Sequence, residues 1–167
     1  LNSAGAITNA AAATLAITNN ANFVGTTITL GTQAGDLMNF GSLDANGTVV
    51  TISEDSQTDL NLITATGTVT LTSTGAIVDN NGGLSNLSAV SAALTAIGGI
   101  GSADALETMI TNLAFNNTVG GDVRIANTGA LTIANIGALP TSPNFGHTNL
   151  TATRPNIFAV NDKQASI

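Results

Sequence analysis

Glu54, Asp55 and Asp59 form the densest group of carboxylates in the chain. A pair of carboxyl groups can cleave a glycosidic bond, one protonating the leaving oxygen while the other acts as base or nucleophile. A lyase acting on an acidic sugar would also need Arg or Lys beside them, and Arg124 is the one base in the clearly repetitive region. A structural or solubilising role for Glu54 and Asp55 is therefore favoured over a calcium site, and both over catalysis. Asp79-Asn80-Asn81-Gly82-Gly83 places oxygen ligands in a turn, yet an EF-hand or glycine-aspartate nonapeptide spacing is missing, and an Asn/Gly turn needs no metal to explain it. His147, beside Gly146 and Thr148, has no second imidazole in the chain and reads as a surface loop residue. The Asn-X-Ser/Thr sequons at Asn46, Asn86, Asn116 and Asn149 are no more than this composition yields by chance. The expectation is a chain with no catalytic residues, no cofactor and no metal, and so not an enzyme.

Composition narrows the partners. Charged residues make up 8% of the 167, against about 25% in ordinary globular proteins. Three basic residues stand against ten acidic ones, so clustered phosphate neutralisation is excluded and nucleic acid is not an expected partner. Trp and Tyr are absent, which removes the usual stacking platforms for bases and sugars. There is no cysteine, hence no disulfide or thiolate site. The longest apolar stretch, Leu87 to Ile100, is too short and too interrupted by Ser, Thr and Gly to span a membrane. With 43% hydrophobic residues the chain must fold, and a surface poor in charge must be covered by Thr, Ser and Asn.

Repeats supply the elements that would hold any such site. Gly5, Gly25, Gly47 and Gly67 recur about every 20 residues, and the last three open Thr26-Thr27-Ile28-Thr29-Leu30, Thr48-Val49-Val50-Thr51-Ile52 and Thr68-Val69-Thr70-Leu71-Thr72. Alternation of β-branched residues with period two predicts strands with one buried and one wet face, and the glycine before each suits a corner needing φ > 0. Gly67 to Asn81 aligns without gaps on Gly121 to Asn135, with six identities that include both glycines, and Ser3 to Thr8 repeats part of the corner. The predicted fold is all-β, a parallel β-helix of about 20-residue coils. An antiparallel sandwich, with Asn46-Gly47 and Asn81-Gly82 as hairpin turns, is the weaker alternative. Ile28, Leu30, Val50, Ile52, Val69, Leu71, Val123, Ile125, Leu131 and Ile133 should point inward and the intervening Thr outward. Ala103 to Ile110 reads either as one or two turns of helix or as an irregular coil.

Thr27/Thr29 and Thr68/Thr70/Thr72 suggest a flat Thr-X-Thr array of the kind that ice-binding solenoids present. On the alignment above, however, the Gly121 coil places Asp122 and Arg124 in that row, and a charge there would spoil it.

Leu94 to Ala103, followed by Leu106-Glu107-Thr108 and Thr111 to Ala114, is similar to the repeats of large filamentous-haemagglutinin-like exoproteins, as is Gly120 to Ile133. The resemblance implies a right-handed parallel β-helix, export to the cell exterior of a bacterium, and adhesive or fibrous use; it carries over no catalytic residues. The expected organisation is a solenoid over residues 1–139 and an irregular, proline-containing segment over 140–167 that docks on the last coil or on another subunit. Leu1 to Thr8 already reads as repeat, so neither end is expected to be a natural cap. The resulting expectation is a structural and adhesive segment of a secreted or cell-surface protein, associating end to end or with neighbouring repeats of a longer chain. Candidate ligands are a surface glycan or host receptor, and the alternative is a carbohydrate-active β-helix enzyme or glycan-binding domain.

Overall fold

The computed structural model describes residues 1–137, 148–152 and 157–159. Its strands stack in two sheets, and every named ladder is parallel, so the antiparallel sandwich is excluded. Sheet I stacks β1 (Ile7–Thr8), β3 (Thr27–Leu30), β5 (Val49–Glu54), β7 (Thr68–Ser73), β10 (Ser91–Ala96), β12 (Asn112–Asn117), β14 (Leu131–Ile133) and β16 (Ile157–Ala159). Sheet II stacks β2 (Thr14–Val24), β4 (Leu37–Gly47), β6 (Thr58–Ala65), β9 (Leu87–Ser88), β11 (Leu106–Met109), β13 (Val123–Asn127) and β15 (Thr148–Ala152), with β8 (Ile77–Asp79) pairing the first part of β6. Because the chain crosses to the other sheet between consecutive strands of one sheet, the molecule is a parallel β-solenoid. Ile28 pairs with Ile7, Val50 with Ile28, Val69 with Val50, Ala92 with Val69 and Leu113 with Ala92, offsets of 19 to 23 residues per turn.

The core lies between the sheets, and alternation places it. All ten residues expected inward are buried, Leu30, Ile52 and Ile133 being the most exposed of them at 2%. The intervening Thr27, Thr29, Thr51, Thr68, Thr70, Thr72 and Thr132 face outward but are half-buried by the neighbouring coils. Segment 103–110 settles as strand, since Leu106 and Thr108 turn inward beside Ile125 and Asn127, and no helix occurs among the described residues. Of the segment 140–167, β15 and β16 continue the two sheets on β13 and β14.

Two sequence arguments need correction. Gly25, Gly47 and Gly67 do not have positive φ. A Cβ on Gly25 would come within 2.9 Å of the Gly5 carbonyl oxygen, on Gly47 within 2.7 Å of the Gly25 oxygen, and on Gly67 within 2.8 Å of the Thr48 oxygen. The glycine repeat is thus a contact between successive coils rather than a backbone conformation. The second correction concerns Gly67–Asn81 and Gly121–Asn135, which share a strand-corner-strand shape but occupy opposite corners. In the first copy β7 of sheet I leads to β8, whereas in the second β13 of sheet II leads to β14.

Two bulges break the sheet II register. Thr18 and Asn19 on β2 oppose the single Gly41, where any Cβ would strike the Thr18 carbonyl oxygen, and Asn61 is the extra residue of β6 between the pairs Leu43–Leu60 and Asp44–Leu62.

Val69→Asp would place a lone carboxylate among Val50, Ala92 and Leu71 and should cost about 3–5 kcal/mol. Thermal melting followed by circular dichroism checks this, and an unchanged midpoint would refute the register.

Candidate functional site

The carboxylates singled out by their spacing sit where the ladder has a gap. β4 begins at Leu37, but β6 above it begins only at Thr58 and pairs from Leu43 onward, so the first amides of β4 have no strand above them. The corner after β5 fills the gap with side chains. The Phe40 amide donates to Glu54 Oε1 at 2.8 Å and the Met38 amide to Asp55 Oδ2 at 2.8 Å, while the Asp55 amide donates back to the Met38 carbonyl at 2.8 Å. Glu54 is 1% exposed, whereas Asp55 is exposed and Asp59, half-buried on β6, accepts from the Gln57 amide group at 2.6 Å. Glu54 and Asp55 are therefore occupied in closing the sheet, an arrangement opposite to two carboxyls converging on an open groove.

Burial pushes the Glu54 carboxyl above the ordinary range, and the charge of Asp59 adds to this; the hydrogen bonds from the Phe40 amide and the Ser56 hydroxyl, with the nearby Thr58 hydroxyl, pull the other way without prevailing. Asp36 ends on the opposite side. Burial again pushes it up, but donation from Asn9 and from the amides of Gln33 and Ala13 prevails and holds it below the usual carboxylate value.

Elsewhere the corner backbone is satisfied by buried amides. Asn127 Oδ1 accepts from the Ile110 amide and the Thr108 hydroxyl, both at 2.9 Å, while its Nδ2 donates to the Ile110 carbonyl at 3.1 Å. Asn117 accepts from the Gly99 amide at 3.1 Å and donates to the carbonyls of Gly120 and Gly121. Asn86 is 0% exposed; it accepts from the Glu107 amide at 2.9 Å and donates to the Leu60 carbonyl and to Asp79. The sequon at Asn86 is thus closed to glycosylation. Sequence reasoning missed all three residues, although alternation pointed to two of them. Val123-x-Ile125-x-Asn127 and Leu113-x-Phe115-x-Asn117 both carry Asn at the inward position.

The sheet II bulges build a further polar ladder on the outside. Asp44 accepts from the Leu62 amide at 3.0 Å and from Asn20 at 2.7 Å, Asn61 donates to Asn20 at 3.1 Å, and Asn80 donates to Asn61 at 3.0 Å. The Asp79 to Gly83 stretch leaves this ladder as an exposed turn, in which the Asn81 amide donates to Asp79 at 2.8 Å and the Asn81 side chain to the carbonyls of Asn61 and Ser85. Among the described residues no group of three or more His, Asp and Glu converges in a way that could hold a metal. His147 lies outside the described residues.

The outer face of sheet I corrects the argument about the Thr rows. Thr8, Thr29, Thr51 and Thr70 run in one in-register column that continues with Ala93 and Ala114, and Thr27 and Val49 share a second column with Thr68, Ser91, Asn112 and Thr132. Asp122 and Arg124 are not in these columns, because β13 belongs to sheet II, so the outward columns of β3 to β12 carry no charge. Ile136 and Gly137 stand beside Thr68, Thr70, Thr72, Ala93 and Thr95 across an open hollow of about 460 Å³ in which four threonines take part. No helix of the described residues is long and apolar enough to cross a membrane. No family model, curated protein or solved structure matches this chain.

Asn127→Ala should lose about 1–3 kcal/mol for each buried partner left unsatisfied, whereas Thr26→Ala at an exposed corner should change stability by about 0.5 kcal/mol or less. Denaturant unfolding of the two variants checks the contrast. Because the folded Asp36 carboxyl is held below its unfolded value, its contribution is complete above the unfolded value and is lost as pH falls through the folded one. Asp36→Asn should therefore be less stable than the parent at neutral pH, with the difference shrinking on acidification. A difference that does not change with pH would rule this out.

Proposed function

We propose that the chain is a structural and adhesive β-solenoid segment of a secreted or cell-surface bacterial protein, a length of rod that performs no catalysis and serves as a fibre or filament building block. The observation that carries the reading is the outer face of sheet I, where in-register columns of Thr, Ser, Asn, Ala and Val repeat coil after coil without a charge. Small hydroxyl and amide side chains repeated at strand spacing give a surface that is wetted without charge and uniform along the rod. The occupation of Glu54 and Asp55 in the sheet favours this over a carbohydrate-active enzyme. The likeness of Leu94–Ala103 and Gly120–Ile133 to exoprotein repeats supports export.

The rod extends by adding coils. On β2 the inward Leu15 and Ile17 are half-exposed, while their register partners one coil on, Met38 and Phe40, are 0% and 3% exposed. What Leu15 and Ile17 lack is a coil on the other side. The open part of that edge, Thr14 to Ala21, contains no charge or proline to blunt it, so it accepts a further parallel strand from a neighbouring repeat or a second copy, while the end of β2 is already paired with Leu1 to Ser3. Adhesion uses the outward columns, and the open hollow beside Ile136 is where an uncharged surface glycan, the alternative ligand class, would lie.

Sedimentation of the isolated chain over a range of concentrations tests the proposal. End-on association that Ile17→Lys abolishes is the expected result. A parent that stays monomeric throughout would overturn the stacking, and cleavage of any polysaccharide in a panel would overturn the non-catalytic reading.

A further inference from the structure

Glu54 occupies a position that stacking alone would fill with a neutral residue. It is the inward residue at the end of β5, paired with Ser73, and the same column continues through Ala96 to Asn117. All three of these neighbours are uncharged, and all three are buried. Glu54 is buried with them. Its Oε1 receives the Phe40 amide at 2.8 Å and the Ser56 hydroxyl at 3.3 Å, but Oε2 lies out of solvent with no hydrogen-bond partner.

The groups that could compensate a charge there are acidic or neutral. Its own corner supplies Asp55, which is engaged with the Met38 amide, and β6 supplies Asp59 together with the Thr58 hydroxyl. β7 supplies only Ser73, whose single hydroxyl proton is engaged by the Ser56 carbonyl at 2.6 Å, with the Ala76 carbonyl at 3.0 Å as the other acceptor in reach. On β4 the sole ionisable residue is Asp44, bound within the outer ladder, and Asp36 just before β4 faces Asn9 and Ala13 in the coil below. No Lys, Arg or His occurs from residue 37 to residue 73. An ionised Glu54 would be an uncompensated charge in a desolvated site, the costliest arrangement a carboxyl can adopt.

We propose that Glu54 is a proton-binding site that gates the corner 54–58. With a proton on Oε2 the carboxyl lies neutral in the core, its Oε1 holds the Phe40 amide, and the corner closes the gap above the start of β4. Loss of that proton to solvent leaves an ion that the core does not hold. The side chain then turns outward, takes the corner with it, and frees the Phe40 and Met38 amides to water. The upward displacement of the Glu54 carboxyl by burial supports this and fixes the sign. A folded value above the unfolded one means the closed state is fully stable below the unfolded value and weakens as pH rises through the folded one. Acid therefore locks this coil, and rising pH opens it.

Hydrogen exchange of the Phe40 amide, corrected for the intrinsic rate, reads the gate directly in the intact chain. Between the unfolded and folded values, protection should fall by up to about tenfold per pH unit, the slope of one linked proton, and it should level off above the folded value. Glu54→Gln, which keeps an oxygen for the Phe40 amide and has no proton to lose, should show protection independent of pH. Should that variant fail to fold, Asp59→Asn decides instead. It removes the one charge on β6 that disfavours ionisation, so the loss of protection should level off at lower pH and be smaller in total, with Glu54 untouched. Protection of Phe40 that does not vary with pH in the parent would overturn the proposal, as would an unchanged slope in Glu54→Gln or an unmoved levelling point in Asp59→Asn.

Discussion

Between strands the backbone of each coil is bonded to the coils above and below, but at the corners that ladder is interrupted, and the rest of the structure depends on what fills the interruptions. A buried amide or carbonyl left without a partner costs about 1–3 kcal/mol, comparable with the gain from burying one aliphatic side chain. Several such losses per turn would cancel the core. The fold avoids them in two ways. Where the coils approach closely, as at Gly25, Gly47 and Gly67, absence of a Cβ lets backbone bond to backbone across the corner, for example from the Gly25 amide to the Asn46 carbonyl at 3.0 Å. Where the chain swings wider, Glu54, Asn86, Asn117 and Asn127 reach back and stand in for the missing strand.

Amides suit that task better than carboxylates, since an amide both accepts and donates while a carboxylate only accepts and resists burial. Asn127 uses both capacities on one residue, Ile110. The carboxylates are stable in proportion to the donors turned toward them. Asp36 collects Asn9 and the amides of Ala13 and Gln33 and stays ionised below the usual range, while Glu54 has donors on one oxygen only and is pushed upward. The same substitution of side chain for strand thus yields a latch that acid releases in one coil and one that rising pH releases in another.

The strand faces were legible in the sequence because their cause is local. Period-two alternation at Thr68 to Thr72 or Val123 to Asn127 fixes which residues face inward, whatever the strands pair with. Stacking was legible only in part. The match of Gly67–Asn81 to Gly121–Asn135 is real as a local shape, but a strand-corner-strand unit fits either corner of a two-sheet coil, so likeness did not decide which sheet each copy joined. That ambiguity moved Asp122 and Arg124 onto the wrong face and made the Thr columns look interrupted. The roles of the polar residues were hidden for a different reason. Asn and Glu are counted as wet by type, and only the gap between β4 and β6 explains why Glu54 is drawn inside.

A solenoid built this way separates its inner and outer chemistry. Inward positions are constrained by the coil above and the coil below, and an error at one corner affects both. Outward positions lie off the core, so the Thr, Ser, Ala and Asn of sheet I can vary without altering the stack, as the change from Thr70 to Ala93 to Ala114 along one column illustrates. Sheet II uses its freedom differently: bulges at Thr18–Asn19 and Asn61 turn polar side chains into the Asn20, Asp44, Asn61 and Asn80 ladder and let the turn at Asp79 to Gly83 project. The two faces of one rod therefore differ in kind. One is a smooth, uncharged array repeated along the axis; the other is an irregular, amide-rich surface whose features occur once. A repeated face suits contacts that gain from length, and a singular face suits contacts that need one address.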